Sequence, residues 1–305
     1  MEYSWSEYCQ NPSQLTASRI ISLTDGTKDI LRKHLPNLKH AKILDVGCGT
    51  GIFTFFLDDC FDDCDIYGID YDAYFIETAK NTIPDNLNNR YHFLTGDGYA
   101  LPFSDDSFDL VISHTYLTSL SAPEKALAEK IRISKKGGCV VSITTQNFNS
   151  QMCSIGNYKQ DDQVQYAKYL ALKNKCEKAY IMQFPPDHYF NTQIADHIPQ
   201  MFGASGLRDL TIQPIGFAFS LSDSRVSMVL KRKFIHCFFE GEKKKLQKFA
   251  ELPEFCNQIS TAEISEYMTH IDRHRAFLLE SLGENTVWEW FSGLNIMMKG
   301  TKSKY

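Results

Sequence analysis

Three glycines at alternate positions, preceded by an aspartate, form the pattern with the clearest chemical meaning in this sequence. Gly47, Gly49 and Gly51 directly follow an apolar segment, and Asp45 lies two residues before the first of them. Alternate glycines let the backbone turn tightly and approach a ligand closely, and a helix that follows such a turn offers free N–H groups. A dinucleotide site would have the spacing G-x-G-x-x-G, with pyrophosphate at that helix end. Asp45 would repel a pyrophosphate but can accept hydrogen bonds from an ammonium group.

A second carboxylate, Asp70, ends the next apolar segment along the chain. In nucleotide-binding sheets, a carboxylate at this place bridges the hydroxyl groups of a ribose. The alternative is structural: the glycines only connect a strand to a helix, and Asp70 is only a helix cap. Because Asp45, the glycines and Asp70 occur in the order and context that such a motif requires, we favour ligand binding.

Strands and helices alternate around these residues. The predicted strands are residues 42–46, 65–70, 91–95, 108–113 and 139–144, with later ones at 210–214 and 293–301, and the predicted helices are 15–35, 52–57, 73–81 and 123–133. This alternation is typical of a parallel sheet covered by helices on both faces. We therefore predict an α/β fold: a Rossmann-like, doubly wound, mostly parallel sheet of seven strands with helical lid insertions.

Two further segments extend the glycine pattern into a family resemblance. Residues 96–103 read GDGYALPF and residues 106–111 read DSFDLV, after residues 43–51, which read ILDVGCGTG. Together these segments resemble the class I S-adenosylmethionine-dependent methyltransferases, in the branch that acts on small molecules. The resemblance covers the chain from about residue 40 to 145.

The resemblance implies that S-adenosyl-L-methionine is the cofactor and S-adenosyl-L-homocysteine the product. It implies that the cofactor is bound by Asp45, Gly47, Cys48, Gly49, Gly51, Asp70, Tyr71, Asp97, Gly98 and His114. In this family pattern the glycines line the methionine part, with Asp45 near its amino group. Asp70 would bind the ribose hydroxyls, Tyr71 would pack on the adenine, and Asp97 would meet the adenine amino group.

The candidates for catalysis are His114, Tyr116 and His188. Methyl transfer from a sulfonium needs mainly proximity and alignment, and a base is required only where the acceptor must lose a proton. His114 and Tyr116 follow the fourth predicted strand, whose end faces the ligand crevice of a parallel sheet, and the ordinary pKa of histidine suits proton transfer near neutrality. The alternative for His114 is a hydrogen bond to cofactor or backbone. His188 lies in FPPDHYF, residues 184–190, which is either a substrate wall or a proline-terminated loop.

Three other patterns favour structural roles, and we expect no metal. Cys60 and Cys64 lack a second pair of zinc ligands. His270 and His274 share a helix face but lack the glutamate of a zinc-protease motif, which favours an exposed polar helix. The basic residues within 231–248 fit solvated helix faces better than an RNA-binding surface.

Composition and charge narrow the classes of function. The 305 residues include 32 basic and 37 acidic ones, for a net charge of −5, which is a poor match for a phosphate backbone. No apolar run approaches the length of about 18 residues that predicts a transmembrane helix, and the N-terminus does not resemble a signal peptide. The nine scattered cysteines fit a reducing compartment. We therefore expect a cytoplasmic location and no membrane partner.

The domain plan follows the places where the alternation of strands and helices stops and resumes. We predict an N-terminal helix and the cofactor-binding half of the sheet over 1–145, a lid insertion over 146–200, a continuation of the sheet over 201–220, a helical insertion over 221–290, and the last strand and tail over 291–305. The predicted activity is methyl transfer to a small-molecule acceptor held under the helical lid. The alternatives are an RNA or protein methyltransferase and a non-catalytic binding module. Nucleic acid is not expected as a partner, and a homodimer through the apolar lid stays open.

Overall fold

Two units, each built from three stretches of the chain, make up this computed structural model. The sheet unit comprises Leu23–Ser150, Thr192–Phe217 and Gly293–Tyr305, and the helical unit comprises Met1–Ser22, Gln151–Asn191 and Ala218–Ser292. The structure describes residues 6, 10–83, 85, 89–145, 151–155, 163–182, 194–283 and 288–304.

A mostly parallel sheet is the frame of the sheet unit. Its strands are β1 (Lys42–Val46), β2 (Asp65–Asp70), β3 (Tyr91–Thr95), β4 (Phe108–His114) and β5 (Ser134–Thr145), with parts of β7 (Arg208–Ser220) and β8 (Trp288–Thr301); β6 (Gln151–Ile155) belongs to the helical unit. The first five run parallel in the order β3-β2-β1-β4-β5, β8 lies antiparallel beside β5, and β7 pairs with β8. Within the described residues the sheet unit thus has the seven strands that were predicted. The eighth strand of the hydrogen-bonded ladder is β6, which pairs antiparallel with residues 288–292 of β8.

The helices are α1 (Pro12–Ser22), α2 (Asp25–His34), α3 (Ile52–Asp58), α4 (Ala73–Lys80), α5 (Pro123–Ile133), α6 (Gln163–Ile181), α7 (Ile194–Ala204), α8 (Met228–Phe249), α9 (Pro253–Cys256) and α10 (Thr261–Glu280). Helices α3 and α5, both in the sheet unit, lie on opposite faces of the sheet. Successive residues of a strand point to opposite faces, and Ile43 packs in an apolar cluster with Leu57 of α3, whereas Leu44 lies in a cluster with Ile133 of α5. The continuous apolar character of β1 therefore reflects burial on both sides.

Two predicted boundaries are wrong for local reasons. The predicted helix over 15–35 is two helices, because Thr24 is extended (φ −100°, ψ 169°) and its side chain accepts a hydrogen bond from the N–H of Thr27, which starts α2. The predicted strand over 139–144 begins earlier, at Ser134, so that Gly137 and Gly138 lie within β5. These glycines continue the ladder: the Gly137 N–H donates to the Lys302 carbonyl, and the Lys302 N–H donates to the Gly138 carbonyl.

Lys130 on α5 is fully buried. Its ammonium group donates to the Ser113 hydroxyl (2.6 Å) and the Val141 carbonyl (2.7 Å), which lie on β4 and β5. Burial lowers the pKa of Lys130 to about 7, because desolvation disfavours the charged form. The sheet unit therefore has a titratable group in its core.

The helical unit has its own apolar core, to which α1, α6, α8, α9 and α10 contribute. The expectation that His270 and His274 lie on an exposed helix face is wrong: they are 3% and 2% exposed. His274 Nε2 lies 3.0 Å from a carboxylate oxygen of Glu289, which is also buried. The pair thus links α10 to the first part of β8. Across the described ranges, none of the helices combines the length and the apolar character needed to cross a bilayer.

Candidate cofactor site

The glycine loop between β1 and α3 turns sharply against the end of β2. Gly47, Gly49 and Gly51 have φ angles of 74°, 54° and 79°, a region that glycine adopts without the strain imposed by a side chain. The N–H groups of Gly47 and Cys48 both donate to the Ile69 carbonyl, at 2.8 and 3.1 Å. The predicted turn is therefore present, and the end of β2 holds it in place.

Asp70, the last residue of β2, is the polar centre of this loop. One carboxylate oxygen accepts the N–H of Gly49 (2.8 Å), and the other accepts the N–H of Asp72 (2.9 Å), which caps α4. A carboxylate oxygen has two lone pairs, so this side chain retains capacity to accept hydrogen bonds from a ligand. Burial raises the pKa of Asp70 to about 6, against the opposing effect of its backbone hydrogen bonds.

The other predicted cofactor residues lie at the ends of neighbouring strands. Asp45 is buried in β1 and accepts a hydrogen bond from the Thr54 hydroxyl (2.8 Å). Tyr71, directly after β2, is 69% exposed. Asp97 is exposed after β3, where it accepts the N–H of Tyr99 and closes a short turn around Gly98. The parallel strands thus bring residues far apart in sequence to one edge of the sheet.

The predicted catalytic residues differ in their surroundings. His114 at the end of β4 is 4% exposed, and its ring lies 4.9 Å from the ring of Phe53 on α3. Tyr116 is half-buried, and burial raises its pKa well above the ordinary value. This shift disfavours the phenolate, so Tyr116 is a poor proton acceptor. His188 lies outside the described residues.

The sequence reasoning missed a pair on α5 that holds the loop after Asp97 and Gly98. Arg132 donates to the carbonyls of Leu101 (2.9 Å) and Phe103 (2.8 Å), and Glu129 accepts the N–H of Leu101 (2.8 Å). Arg132 and Glu129 are themselves bonded at 2.7 Å, which holds the pKa of Glu129 below its ordinary value. Their i, i+3 spacing predicts the pair, but nothing local to α5 predicts which loop it binds.

We expect Arg132→Leu to loosen this loop. The change removes two hydrogen bonds from a charged group to backbone carbonyls, and we expect it to lower the free energy of unfolding by about 1–2 kcal/mol and to weaken cofactor binding roughly threefold to fivefold. Calorimetry and denaturant unfolding measure these effects. Arg225→Leu is the matched control, because Arg225 is exposed and bonds to nearby Asp223. An Arg132 variant that behaves like this control would contradict the role.

Part of this chain is similar in sequence to known methyltransferases. Residues 44–142 match the family model described as a methyltransferase domain. The demethylmenaquinone methyltransferase of Renibacterium salmoninarum is 36% identical over 100 residues, which are 33% of this chain and 39% of that protein. The protein of the same name from Lactococcus lactis is 34% identical over 116 residues, 38% of this chain and 46% of that one. The matched segment therefore spans less than half the length of these relatives.

A solved structure shares the fold. The phosphoethanolamine N-methyltransferase 2 of Haemonchus contortus superimposes with a TM-score of 0.52 and 13% sequence identity, over 98% of this chain and 59% of that one. The region of the family match includes the glycine loop, Asp70, Asp97 and the end of β4. This segment of the chain therefore matches a methyltransferase domain, and the shared fold extends beyond it.

Proposed function

We propose that this protein transfers a methyl group from S-adenosyl-L-methionine to a small-molecule acceptor. The observation that carries the proposal is the bonding of Asp70, whose carboxylate joins the glycine loop to the start of α4. The carboxylate is thereby held beside glycines in the left-handed region of φ. A carboxylate in this place can accept hydrogen bonds from the hydroxyl groups of a ribose. This arrangement lies within the segment that matches the methyltransferase family.

The residues present fit this cofactor. Asp70 would accept hydrogen bonds from the ribose hydroxyls, exposed Tyr71 offers an aromatic face for adenine, and exposed Asp97 offers an acceptor for its amino group. The bound cofactor would supply a methyl group on a sulfonium sulfur, which a nucleophile can take in one displacement. The chain's own contribution is then to hold the cofactor and align the acceptor.

Two observations favour a small acceptor over nucleic acid. Part of the basic charge of α8 is engaged within the helical unit: Lys243 pairs with Asp272 (2.8 Å), and Lys245 Nζ lies 4.1 Å from the centre of the Tyr180 ring. Lys244 and Lys248 also pair with acidic residues. In addition, several relatives are named demethylmenaquinone methyltransferase. A Paenibacillus protein that is 32% identical over 105 residues is named malonyl-[acyl-carrier protein] O-methyltransferase. We infer that the helical unit, two of whose stretches interrupt the sheet unit in sequence, binds the acceptor as a lid.

Transfer of a labelled methyl group tests this proposal. The protein is incubated with methyl-labelled S-adenosylmethionine and a cell extract divided into metabolite and macromolecule fractions. We expect label in the metabolites, where mass spectrometry then identifies the acceptor. Label confined to RNA or protein would overturn the small-molecule assignment. Cofactor binding without transfer to either fraction would favour a binding module.

The binding of S-adenosylmethionine should weaken in acid. Because the pKa of Asp70 is raised to about 6, its carboxyl group is mostly ionised at pH 7.5 and mostly protonated at pH 5. The protonated form cannot accept hydrogen bonds equally at both oxygens, so we expect the affinity to fall roughly tenfold between these two pH values. Calorimetry across this range measures the effect. An affinity that stays constant down to pH 5 would contradict it.

A further inference from the structure

The side chain of Tyr116 lies between the glycine loop after β1 and the loop after β3. A Cβ atom placed on Gly47 would lie 2.3 Å from Tyr116 Cδ2, and one placed on Gly98 would lie 1.7 Å from the Tyr116 hydroxyl oxygen. Both distances are shorter than any ordinary contact between such atoms. One aromatic ring therefore fills the side-chain space of two glycines that are distant in sequence.

Backbone hydrogen bonds on both sides of Tyr116 hold this part of the chain in place. Thr115 has a φ of 55°, which redirects the chain at the end of β4, and its N–H donates to the Ile143 carbonyl on β5 (2.7 Å). The Tyr116 carbonyl accepts the N–H of Ser119 (2.9 Å) in the short 3₁₀ helix Leu117–Ser119, whose first residue is fully buried. These contacts therefore fix the position of the Tyr116 backbone, from which the ring extends.

The same contacts change the role expected of Gly47 and Gly98. Alternate glycines in such a loop are expected to admit a ligand close to the backbone, but the nearest atoms to the missing side chains of Gly47 and Gly98 belong to Tyr116. The electrostatic surroundings of the Tyr116 phenol include the carboxylates of Asp70 and Asp97, the two acids proposed to bind the cofactor's adenosine. The ring thus borders the cleft between the two loops.

We propose that Tyr116 is a positioning residue whose ring acts as a spacer between the Gly47 loop and the Gly98 loop and thereby sets the width of the cofactor cleft. This inference rests on the proposed function, because it assigns the two loops to opposite parts of the cofactor. The shape of the side chain does the work: the ring occupies the space at Gly47, and the ring and its hydroxyl oxygen together occupy the space at Gly98. The hydroxyl group is not needed for proton transfer. Tyr116 then has a different role from the proton acceptor that its position after β4 suggested.

Gly98 provides a clean test, since its φ lies outside the left-handed region and every contact within 3.6 Å of an added Cβ comes from Tyr116. We expect Gly98→Ala to weaken S-adenosylmethionine binding at least tenfold and Tyr116→Ala to weaken it about tenfold. The double variant should bind no more weakly than Tyr116→Ala alone, because removing the ring removes the clash. Gly203→Ala, where an added Cβ meets nothing within 4 Å, should bind like the wild type.

The conservative variant separates the spacer from a catalytic hydroxyl. We expect Tyr116→Phe to keep the dissociation constant and the transfer rate within about threefold of the wild type. A Tyr116→Phe variant with unchanged binding and a transfer rate reduced 100-fold would overturn the inference, as would additive losses in Gly98→Ala and Tyr116→Ala. The melting temperatures of the wild type, Gly98→Ala, Tyr116→Ala and the double variant measure the same coupling between the two residues without cofactor. If the melting temperatures are coupled but the wild type does not bind S-adenosylmethionine, the proposed function and the assignment of the cleft are refuted. If the melting temperatures are not coupled, only the role of Tyr116 as a spacer is refuted.

Discussion

Asp70→Asn should weaken the binding of S-adenosylmethionine about 100-fold. The substitution keeps the size of the side chain but removes its charge, so hydrogen bonds from two ribose hydroxyls lose their charge assistance. It also creates a local conflict. Asp70 accepts a backbone N–H at each oxygen, whereas asparagine has one acceptor oxygen and one NH2 group. One of the two N–H groups, of Gly49 or Asp72, would then face another donor. Losses of about 1.5 kcal/mol for each ribose hydrogen bond give this magnitude.

Isothermal calorimetry with the cofactor alone measures this effect without knowledge of the acceptor. Asp65→Asn is the matched control, because Asp65 is an exposed carboxylate at the opposite end of the same strand. We expect this control to bind like the wild type, and we expect both variants to remain folded by circular dichroism. An Asp70→Asn protein that is folded and binds within tenfold of the wild type would refute the assignment of Asp70 to the ribose.

The Asp70 site was predictable from sequence because its geometry is local. The loop at 47–51 joins a strand directly to a helix, and Asp70 ends the strand that pairs with β1. Position in a parallel sheet then brings the two together, and the pattern of apolar segments is sufficient to infer that position.

The contacts that shape the rest of the site were not predictable in this way. Tyr116 meets Gly98, and Arg132 binds the carbonyls of Leu101 and Phe103, through side chains that cross between elements. Such contacts depend on rotamers and on the spacing of packed layers, which periodicity does not encode. The burial of His274 against Glu289 has the same cause. The polar spacing on α10 predicts a solvated face, but the partner comes from β8.

The burial of Lys130 was also not predictable from the sequence. Because of this residue, we expect the free energy of unfolding to increase as the pH rises above neutrality. Its folded pKa is lowered to about 7, whereas the unfolded value is about 10.4. Between these values the unfolded chain binds one more proton than the folded chain, so stability increases with pH. From pH 7 to 8.5 this linkage should add about 1.5 kcal/mol to the free energy of unfolding.

Lys130→Met should remove this dependence, because methionine fills similar space and does not titrate. Denaturant unfolding of wild type and variant at four pH values between 7 and 8.5 gives the difference between their slopes. The upper limit of the pH range matters, since burial raises the pKa of Cys60 and Cys139 to about 11. Thiols shifted in this direction make the folded state less stable above the ordinary thiol pKa, which opposes the effect of Lys130.

The slope of the free energy of unfolding against pH is a better test than the absolute stability of the variant. Lys130→Met also leaves the Ser113 hydroxyl and the Val141 carbonyl without their bonds to the ammonium group, and each loss destabilises the folded state independently of pH. These constant losses cancel when slopes are compared. Lys125→Met, on the exposed face of the same helix, should retain the wild-type slope. Equal slopes in wild type and Lys130→Met would show that the buried amine does not titrate in this range, and would exclude Lys130 as a source of pH-dependent stability near neutrality.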